Sequence, residues 1–239
     1  MKRIISYFNK YDIYLWSVSV TSIAAAFYIY GNTDLLKLIV SIIGVTSLIF
    51  NAKGNPVGQL LMIVFSVIYG YISYSFGYYG EMITYIGMTM PMALFSLISW
   101  LRHPFKGTRS QVEVNTLKPK EYIFILFLSI IVTVIFYFIL KSLNTSSLYF
   151  STLSVLTSFA AAYLTFRRTK EFALAYALND IVLIILWSIA AKENKEYISL
   201  IICFIMFLAN DIYGYISWGI MKRDQQDISG IIKKNKKLF

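Results

Sequence analysis

The sequence predicts an all-α polytopic membrane protein with eight transmembrane helices. Three observations predict it: the composition, the spacing of apolar stretches, and the distribution of Lys and Arg. Of the 239 residues, 58% are hydrophobic and only 14% are charged, whereas about a quarter of the residues in a soluble domain are charged. A chain with so few charges needs a hydrocarbon environment to remove its apolar surface from water.

Eight apolar stretches are long enough to cross a bilayer, whose hydrocarbon core of about 30 Å requires about 20 helical residues. They are Tyr11–Tyr30, Leu35–Phe50, Pro56–Phe76, Glu81–Leu101, Tyr122–Leu140, Ser147–Phe166, Glu171–Ala191 and Tyr197–Met221. No small-residue cleavage site follows the first stretch, so we expect a retained helix there and not a signal peptide. An even number of spans places both termini on one side of the membrane.

Lys and Arg are concentrated at the helix ends on the side of the termini. The opposite ends hold Lys37, Lys141, Lys192 and Lys195, and the other 18 of the 22 basic residues lie on the terminal side. Cytoplasmic segments carry such an excess, so both termini are predicted to be cytoplasmic. The net charge of +10 is therefore an orientation signal that also suits anionic membrane lipid, and nucleic-acid binding is not expected.

Two parts of the chain resemble each other at a constant offset of 118 residues. This shift places Ile98-Ser99-Trp100 on Ile216-Ser217-Trp218. The pattern predicts two parallel three-helix repeats joined by a linker helix, a 3+1+3 core behind an extra N-terminal helix. The predicted segments are 1–34 with the extra helix, 35–101, the loop and linker helix 102–146, 147–221, and a basic cytoplasmic tail 222–239. Parallel repeats place a substrate site near mid-depth between them.

Acidic residues inside the predicted spans are the strongest functional signal. Asp180 and Asp211 lie at matching depth in the last two spans, each preceded by an amide residue, Asn179 and Asn210. A charged group at the bilayer centre costs roughly 2.5–3.5 kcal/mol on insertion scales. These residues therefore predict a polar cavity, with hydrogen bonding between helices as the structural alternative.

Aromatic and polar residues at helical spacing extend this candidate site. Tyr176 and Trp187 share a helix face with Asp180, and we expect a planar ring to be held by Tyr176, Trp187, Tyr69 and Tyr213. Glu81 and Gln59 are further candidates in the first repeat, although Glu81 could instead cap a helix. Pro91 lies within the fourth span and is expected to distort it.

No catalytic or metal-binding motif is present in the sequence. The chain has a single cysteine, Cys203, and a single histidine, His103, which excludes a disulfide and a Cys-based metal site. Asp180 and Asp211 lack the glycine context of an intramembrane aspartyl protease. We therefore expect neither an enzyme nor a cofactor. A binding subunit without transport activity remains an alternative function.

Several stretches of the sequence resemble the Pnu family of nicotinamide riboside transporters. They are Tyr78-Tyr79-Gly80-Glu81, Pro91-Met92 with Trp100, and the run Asn210-Asp211-Ile212-Tyr213-Gly214-Tyr215-Ile216-Ser217-Trp218. The resemblance implies a fold related to the SWEET sugar transporters, facilitated diffusion of a vitamin-like nucleoside in a bacterial plasma membrane, and a homotrimer. It also implies a cytoplasmic kinase that traps the substrate.

The resemblance leaves the substrate open, since relatives carry thiamine, riboflavin or deoxynucleosides. Nicotinamide riboside is the expected substrate. Where the family has a W-x-x-W pair, this chain has Ala173 and Tyr176. We expect Asn179, Asp180, Asn210 and Asp211 to bind ribose hydroxyls and polar ring groups.

Overall fold

The computed structural model describes residues 7–30, 35–75, 79–145 and 147–236. Tyr78 of the family motif and the ends of the predicted terminal segments lie outside these ranges. Eight helices in the described residues are long and apolar enough to cross a membrane, which confirms the predicted fold class. They are α1 (Lys10–Ile29), α2 (Leu35–Ala52), α3 (Val57–Ser75), α4 (Tyr79–Arg102), α5 (Pro119–Ser142), α6 (Leu148–Phe166), α7 (Glu171–Ala190) and α8 (Ile198–Lys236).

Two features at one end of the bundle differ from the predicted elements. The loop after α4 contains an antiparallel hairpin of β1 (Pro104–Phe105) and β2 (Thr108–Val112). The helix α8 continues past the predicted span end at Met221 into the segment predicted as a tail. Gln225 connects the extension of α8 to the hairpin and the residues after it, because its Nε2 donates to Val112 O (2.9 Å) and its Oε1 accepts from Val114 N (2.9 Å). We call this end of the bundle the hairpin end and the other the far end.

The helices pack in two similar sets. Helix α2 packs against α3, which packs against α4, and α6 packs against α7, which packs against α8. The sets are joined crosswise, since α8 also packs against α2 and α4 also packs against α6. Helix α5 packs mainly against α6 and exposes a broad apolar face.

Two serine–tryptophan pairs close the hairpin end with equivalent hydrogen bonds. The four bonds are Ser99 Oγ to Phe166 O (2.9 Å), Trp100 Nε1 to Thr165 O (2.9 Å), Ser217 Oγ to Ala52 O (2.7 Å) and Trp218 Nε1 to Asn51 O (2.7 Å). Each pair thus ties the end of one set's last helix to the end of the other set's first helix. The rings of Trp100 and Trp218 are 0% exposed and their centroids are 5.4 Å apart. The two buried rings and their paired donors thus pack tightly at this end of the bundle.

The additional helix α1 is fixed to α2 and α8 by a buried polar cluster. Its N-terminus has a capping box, in which Asn9 Oδ1 accepts from Asp12 N and Asp12 Oδ2 accepts from Asn9 N, both at 2.8 Å. The Asp12 carboxylate also accepts from Lys53 Nζ (3.1 Å) at the end of α2 and from Tyr213 Oη (2.5 Å) on α8. One carboxylate therefore joins three helices near the hairpin end.

Candidate functional site

An internal cavity of about 130 Å³ lies between α3 and α4 on one side and α6, α7 and α8 on the other. An engineered apolar cavity of about 150 Å³, slightly larger than this one, holds a benzene molecule. The described residues that line it are Leu48, Met62, Phe65, Tyr69, Gly80, Glu81, Thr84, Tyr85, Thr89, Leu140, Thr145, Ser151, Ser154, Val155, Ser158, Ala162, Tyr176, Asn179, Asp180, Leu183, Leu186, Trp187, Phe204, Phe207 and Asp211. They come from the middle and the far end of the helices. The Trp100–Trp218 contact lies on the hairpin side, so the cavity is closed there.

Two carboxyl groups form the acidic part of the cavity wall. Asp180 on α7 and Asp211 on α8 are 4% and 5% exposed, and both line the cavity. Asp180 Oδ2 is buried and has no hydrogen-bond partner among the described residues. The pair therefore offers an unused acceptor to a ligand.

Asn179 is held in place by α6. Its Oδ1 accepts from Ser154 Oγ (3.1 Å) and from Thr157 Oγ1 (2.8 Å). Because these bonds occupy the amide oxygen, the group that Asn179 can offer to a ligand is its Nδ2, a donor. Asn179 and Asp180 thus supply a donor and an acceptor side by side.

The opposite wall, from α3 and α4, combines a carboxylate with three rings. Tyr69 Oη donates to Glu81 Oε2 at 3.2 Å. The ring of Tyr69 lies 4.4 Å from that of Tyr85 and 5.6 Å from that of Phe65, centroid to centroid. Glu81, Phe65, Tyr69 and Tyr85 all line the cavity, and together we call them the α3–α4 wall.

A π-helical turn in α4 places part of this wall. It spans Tyr85–Thr89, and Met90 N donates to Tyr85 O, one residue further back than in an α-helix. Pro91 has no N–H and its ring collides with the carbonyl four residues earlier, so the backbone before it must widen. Both ends of the turn, Tyr85 and Thr89, line the cavity. Pro91, which was expected from the sequence to distort this helix, thus shapes the cavity wall.

Unpartnered polar atoms point to a polar occupant. Within the described part of the chain, Asp180 Oδ2, Trp187 Nε1 and Thr145 Oγ1 are buried without a hydrogen-bond partner, and all three residues line the cavity. Native proteins pair nearly all buried polar groups, and each exception needs an explanation. A ligand with hydroxyl or amide groups would supply the missing partners.

Seven of the ten predicted site residues line this cavity. They are Tyr69, Glu81, Tyr176, Asn179, Asp180, Trp187 and Asp211. The other three lie elsewhere: Asn210 Nδ2 donates to Ser19 Oγ (2.9 Å), Tyr213 bonds Asp12, and Gln59 Nε2 donates to Asn51 Oδ1 (2.8 Å). Each of these three holds helices together, and none is among the lining residues.

The structure adds lining residues that the sequence analysis did not select. Tyr85 lies four residues after Glu81, and Ser151, Ser154 and Ser158 follow one face of α6 at spacings of three and four. This spacing of small polar residues on an apolar helix was a usable signal. No group of three or more His, Cys, Asp or Glu side chains that could hold a metal occurs among the described residues.

The fold and the cavity together are those of a membrane transporter for a small solute. The chain belongs to the family described as nicotinamide mononucleotide transporter, whose model matches residues 34–219. This confirms the predicted family, and the matched range begins after α1.

Two relatives and one solved structure are similar to the chain along most of its length. The nicotinamide riboside transporter PnuC of Neisseria mucosa is 24% identical over 208 residues, which cover 85% of this chain and 79% of that protein. The nicotinamide riboside transporter PnuC of Haemophilus influenzae is 22% identical over 192 residues, covering 80% and 82%. The crystal structure of the vitamin B3 transporter PnuC superimposes with a TM-score of 0.78 at 22% identity, covering 91% of this chain and 94% of that one. That likeness establishes the shared fold.

Proposed function

We propose that this chain carries nicotinamide riboside across the membrane by facilitated diffusion through the cavity between α3–α4 and α6–α8. Two relatives along most of the chain are nicotinamide riboside transporters. The observation that carries the proposal is the lining itself, which has three carboxyl side chains and aromatic rings but no Lys, Arg or His among the described residues. Carboxylates and amides bind sugar hydroxyls, and rings stack on a planar base.

The charge of the lining favours the riboside over the mononucleotide of the family description. A phosphate monoester carries between one and two negative charges at neutral pH. Two like charges 4 Å apart repel by about 4 kcal/mol at an effective dielectric constant of about 20. Proteins bind phosphate with Arg, Lys or helix N-termini, and the lining offers carboxyl groups instead. The charge of the lining therefore suits a dephosphorylated nucleoside better than a nucleotide.

The two helix sets would act as parallel repeats, 35–101 and 147–221, with α5 in 102–146 as the linker. The equivalent Ser–Trp bonds at the hairpin end support this division. With the hairpin end closed, substrate would enter from the far end. Release on the other side would require the Ser–Trp bonds to break while the far end closes.

We place the hairpin end in the cytoplasm of a bacterium, since it carries most Lys and Arg residues. The basic segment 222–239 would lie near anionic lipid. The homotrimer and the cytoplasmic kinase that retains the substrate remain predictions from the family resemblance. In the binding site we include the seven predicted residues that line the cavity. Asn210, Tyr213 and Gln59 we assign to helix packing.

Uptake by purified protein in lipid vesicles tests the proposal. Vesicles containing the protein should equilibrate radiolabelled nicotinamide riboside faster than protein-free vesicles, and nicotinamide mononucleotide should enter at the protein-free rate. Mononucleotide uptake equal to riboside uptake would contradict the charge argument. Binding in detergent without uptake in vesicles would indicate a binding subunit instead of a transporter.

Replacing Asp180 with asparagine should weaken riboside binding several-fold, because an acceptor oxygen of the cavity wall becomes a donor and an ordinary hydrogen bond contributes about 0.5–1.5 kcal/mol. Isothermal titration of the purified protein measures the dissociation constant. The matched control is Asp227→Asn, which changes an exposed carboxylate on the extension of α8 and should leave the constant unaltered. An Asp180→Asn protein with wild-type affinity and uptake would remove this contact from the site.

A further inference from the structure

The α3–α4 wall has the composition of a cation-binding site. We infer that Glu81, Phe65, Tyr69 and Tyr85 bind the positively charged ring of the substrate, so that the protein selects cationic over neutral nucleosides. This inference rests on the proposed function and deepens it, because neither the family nor the fold states which feature of the substrate is recognised at this wall.

The geometry brings a carboxylate and aromatic rings to one surface. The hydroxyl of Tyr69 donates to Glu81 Oε2, which fixes the carboxylate beside the ring of Tyr69. The rings of Phe65 and Tyr69 are stacked with 19° between their planes, and Tyr85 closes the group at 4.4 Å from Tyr69. Faces of aromatic rings attract cations by about 0.5–2 kcal/mol, and a carboxylate adds direct charge attraction. The set therefore suits a flat cation.

Among the described residues, no basic side chain neutralises the carboxylate of Glu81. Within the described residues, Glu81 forms no ion pair with a lysine or arginine, and no basic side chain lines the cavity. Glu81 is half-buried, and an opposite charge nearby stabilises the ionised form of such a carboxyl group. A cationic substrate would provide the counter-charge that the lining lacks.

A second observation, on the opposite wall, also points to a ligand. Asp180 Oδ2 and Trp187 Nε1 are buried without partners, and their residues are only 4% and 7% exposed. One is an acceptor and the other a donor, and both residues line the cavity. A sugar hydroxyl can satisfy both kinds of group. The two walls thus contact different parts of the substrate: the charged ring lies at α3–α4 and the sugar at α7–α8.

Two substrates that share the sugar and the amide but differ in ring charge test this division. Nicotinamide riboside is a cation, and its reduced dihydro form has the same sugar and amide on a neutral ring. We expect the wild-type protein to bind the cationic form at least about tenfold more tightly. Equal affinity for the two forms would overturn the inference while leaving the proposed function intact. Failure to bind either form would contradict the proposed function itself.

The variant Glu81→Gln tests whether Glu81 provides the preference for the cationic form. Glutamine keeps the length and the acceptor for Tyr69 Oη but removes the charge. The ratio of the two dissociation constants should fall several-fold but stay above one, because the rings of the wall still attract the cation, with the constant for the neutral form changed by less than about twofold. The matched control Glu193→Gln, at an exposed position after α7, should keep the wild-type ratio. Equal weakening of both forms in Glu81→Gln would show a structural role and refute the assignment. If this variant does not fold, the wild-type ratio still decides the inference.

Discussion

Trp218→Ala is expected to lower the melting temperature of the detergent-purified protein by about 10 °C. The ring is fully buried between Trp100 and Phe172, with centroids at 5.4 and 4.9 Å. Truncation of a buried Trp costs about 3–5 kcal/mol, and each kcal/mol shifts the melting temperature by about 2–4 °C at this chain length. The change also leaves Asn51 O without its donor. Thermal unfolding followed by intrinsic fluorescence measures the shift.

Trp100→Ala should cause a similar loss, because Trp100 makes the equivalent bond to the end of α6. Trp16→Ala is the matched control, since this tryptophan on α1 is 37% exposed and therefore buries less surface. We expect its shift to be less than half as large. A Trp218→Ala protein as stable as the wild type would contradict the assignment of this pair as the main closure of the hairpin end.

Asp12→Ala is expected to destabilise the protein by about 3 kcal/mol, since breaking a buried ion pair costs about 3–5 kcal/mol. The Asp12 side chain is 0% exposed and accepts from Lys53, Tyr213 and the Asn9 backbone. Removing it leaves the Lys53 ammonium, whose side chain is 21% exposed, without its counter-charge. Chemical denaturation in mild detergent gives the free energy of unfolding.

A double-mutant cycle separates the ion pair from the rest of the cluster. Lys53→Met removes the charge and keeps the stem length, and the double variant Asp12→Ala with Lys53→Met should be more stable than the two separate losses predict. Simple additivity would mean that Asp12 acts through Tyr213 and the capping box instead of Lys53. In that case Tyr213→Phe should reproduce most of the Asp12→Ala effect.

Much of the fold follows from the sequence because bilayer thickness constrains it so strongly. The eight predicted spans match the eight helices closely, since each needs about 20 apolar residues. The hairpin and the extension of α8 carry no such constraint. Both depend on tertiary bonds, such as those of Gln225 to Val112 and Val114, which no local pattern reveals.

The sequence predicted well at which depth in the membrane the site residues lie. It predicted less well in which direction their side chains point. Neighbouring residues on a helix point about 100° apart, so Asp211 faces the cavity while Asn210 turns toward Ser19 on α1. Tyr213 lies about 200° from Asp211 and points away from the cavity toward Asp12. The equal depth of Asp180 and Asp211 in their spans was enough to predict that they lie at the same level. The rotation of each helix depends on its packing partners and is not readable from one sequence.

Thiol labelling at Ser158 tests most directly whether the cavity receives the substrate. In a Cys203→Ala background, Ser158→Cys places a thiol in the lining of α6, while Ser188→Cys on α7 places one outside that lining. A polar thiol reagent should label position 158, and nicotinamide riboside should slow that labelling several-fold in a saturable way. The rate at position 188 should not respond to the riboside. Rapid labelling at position 158 that saturating riboside leaves unchanged, in protein shown to bind it, would place the substrate outside this cavity.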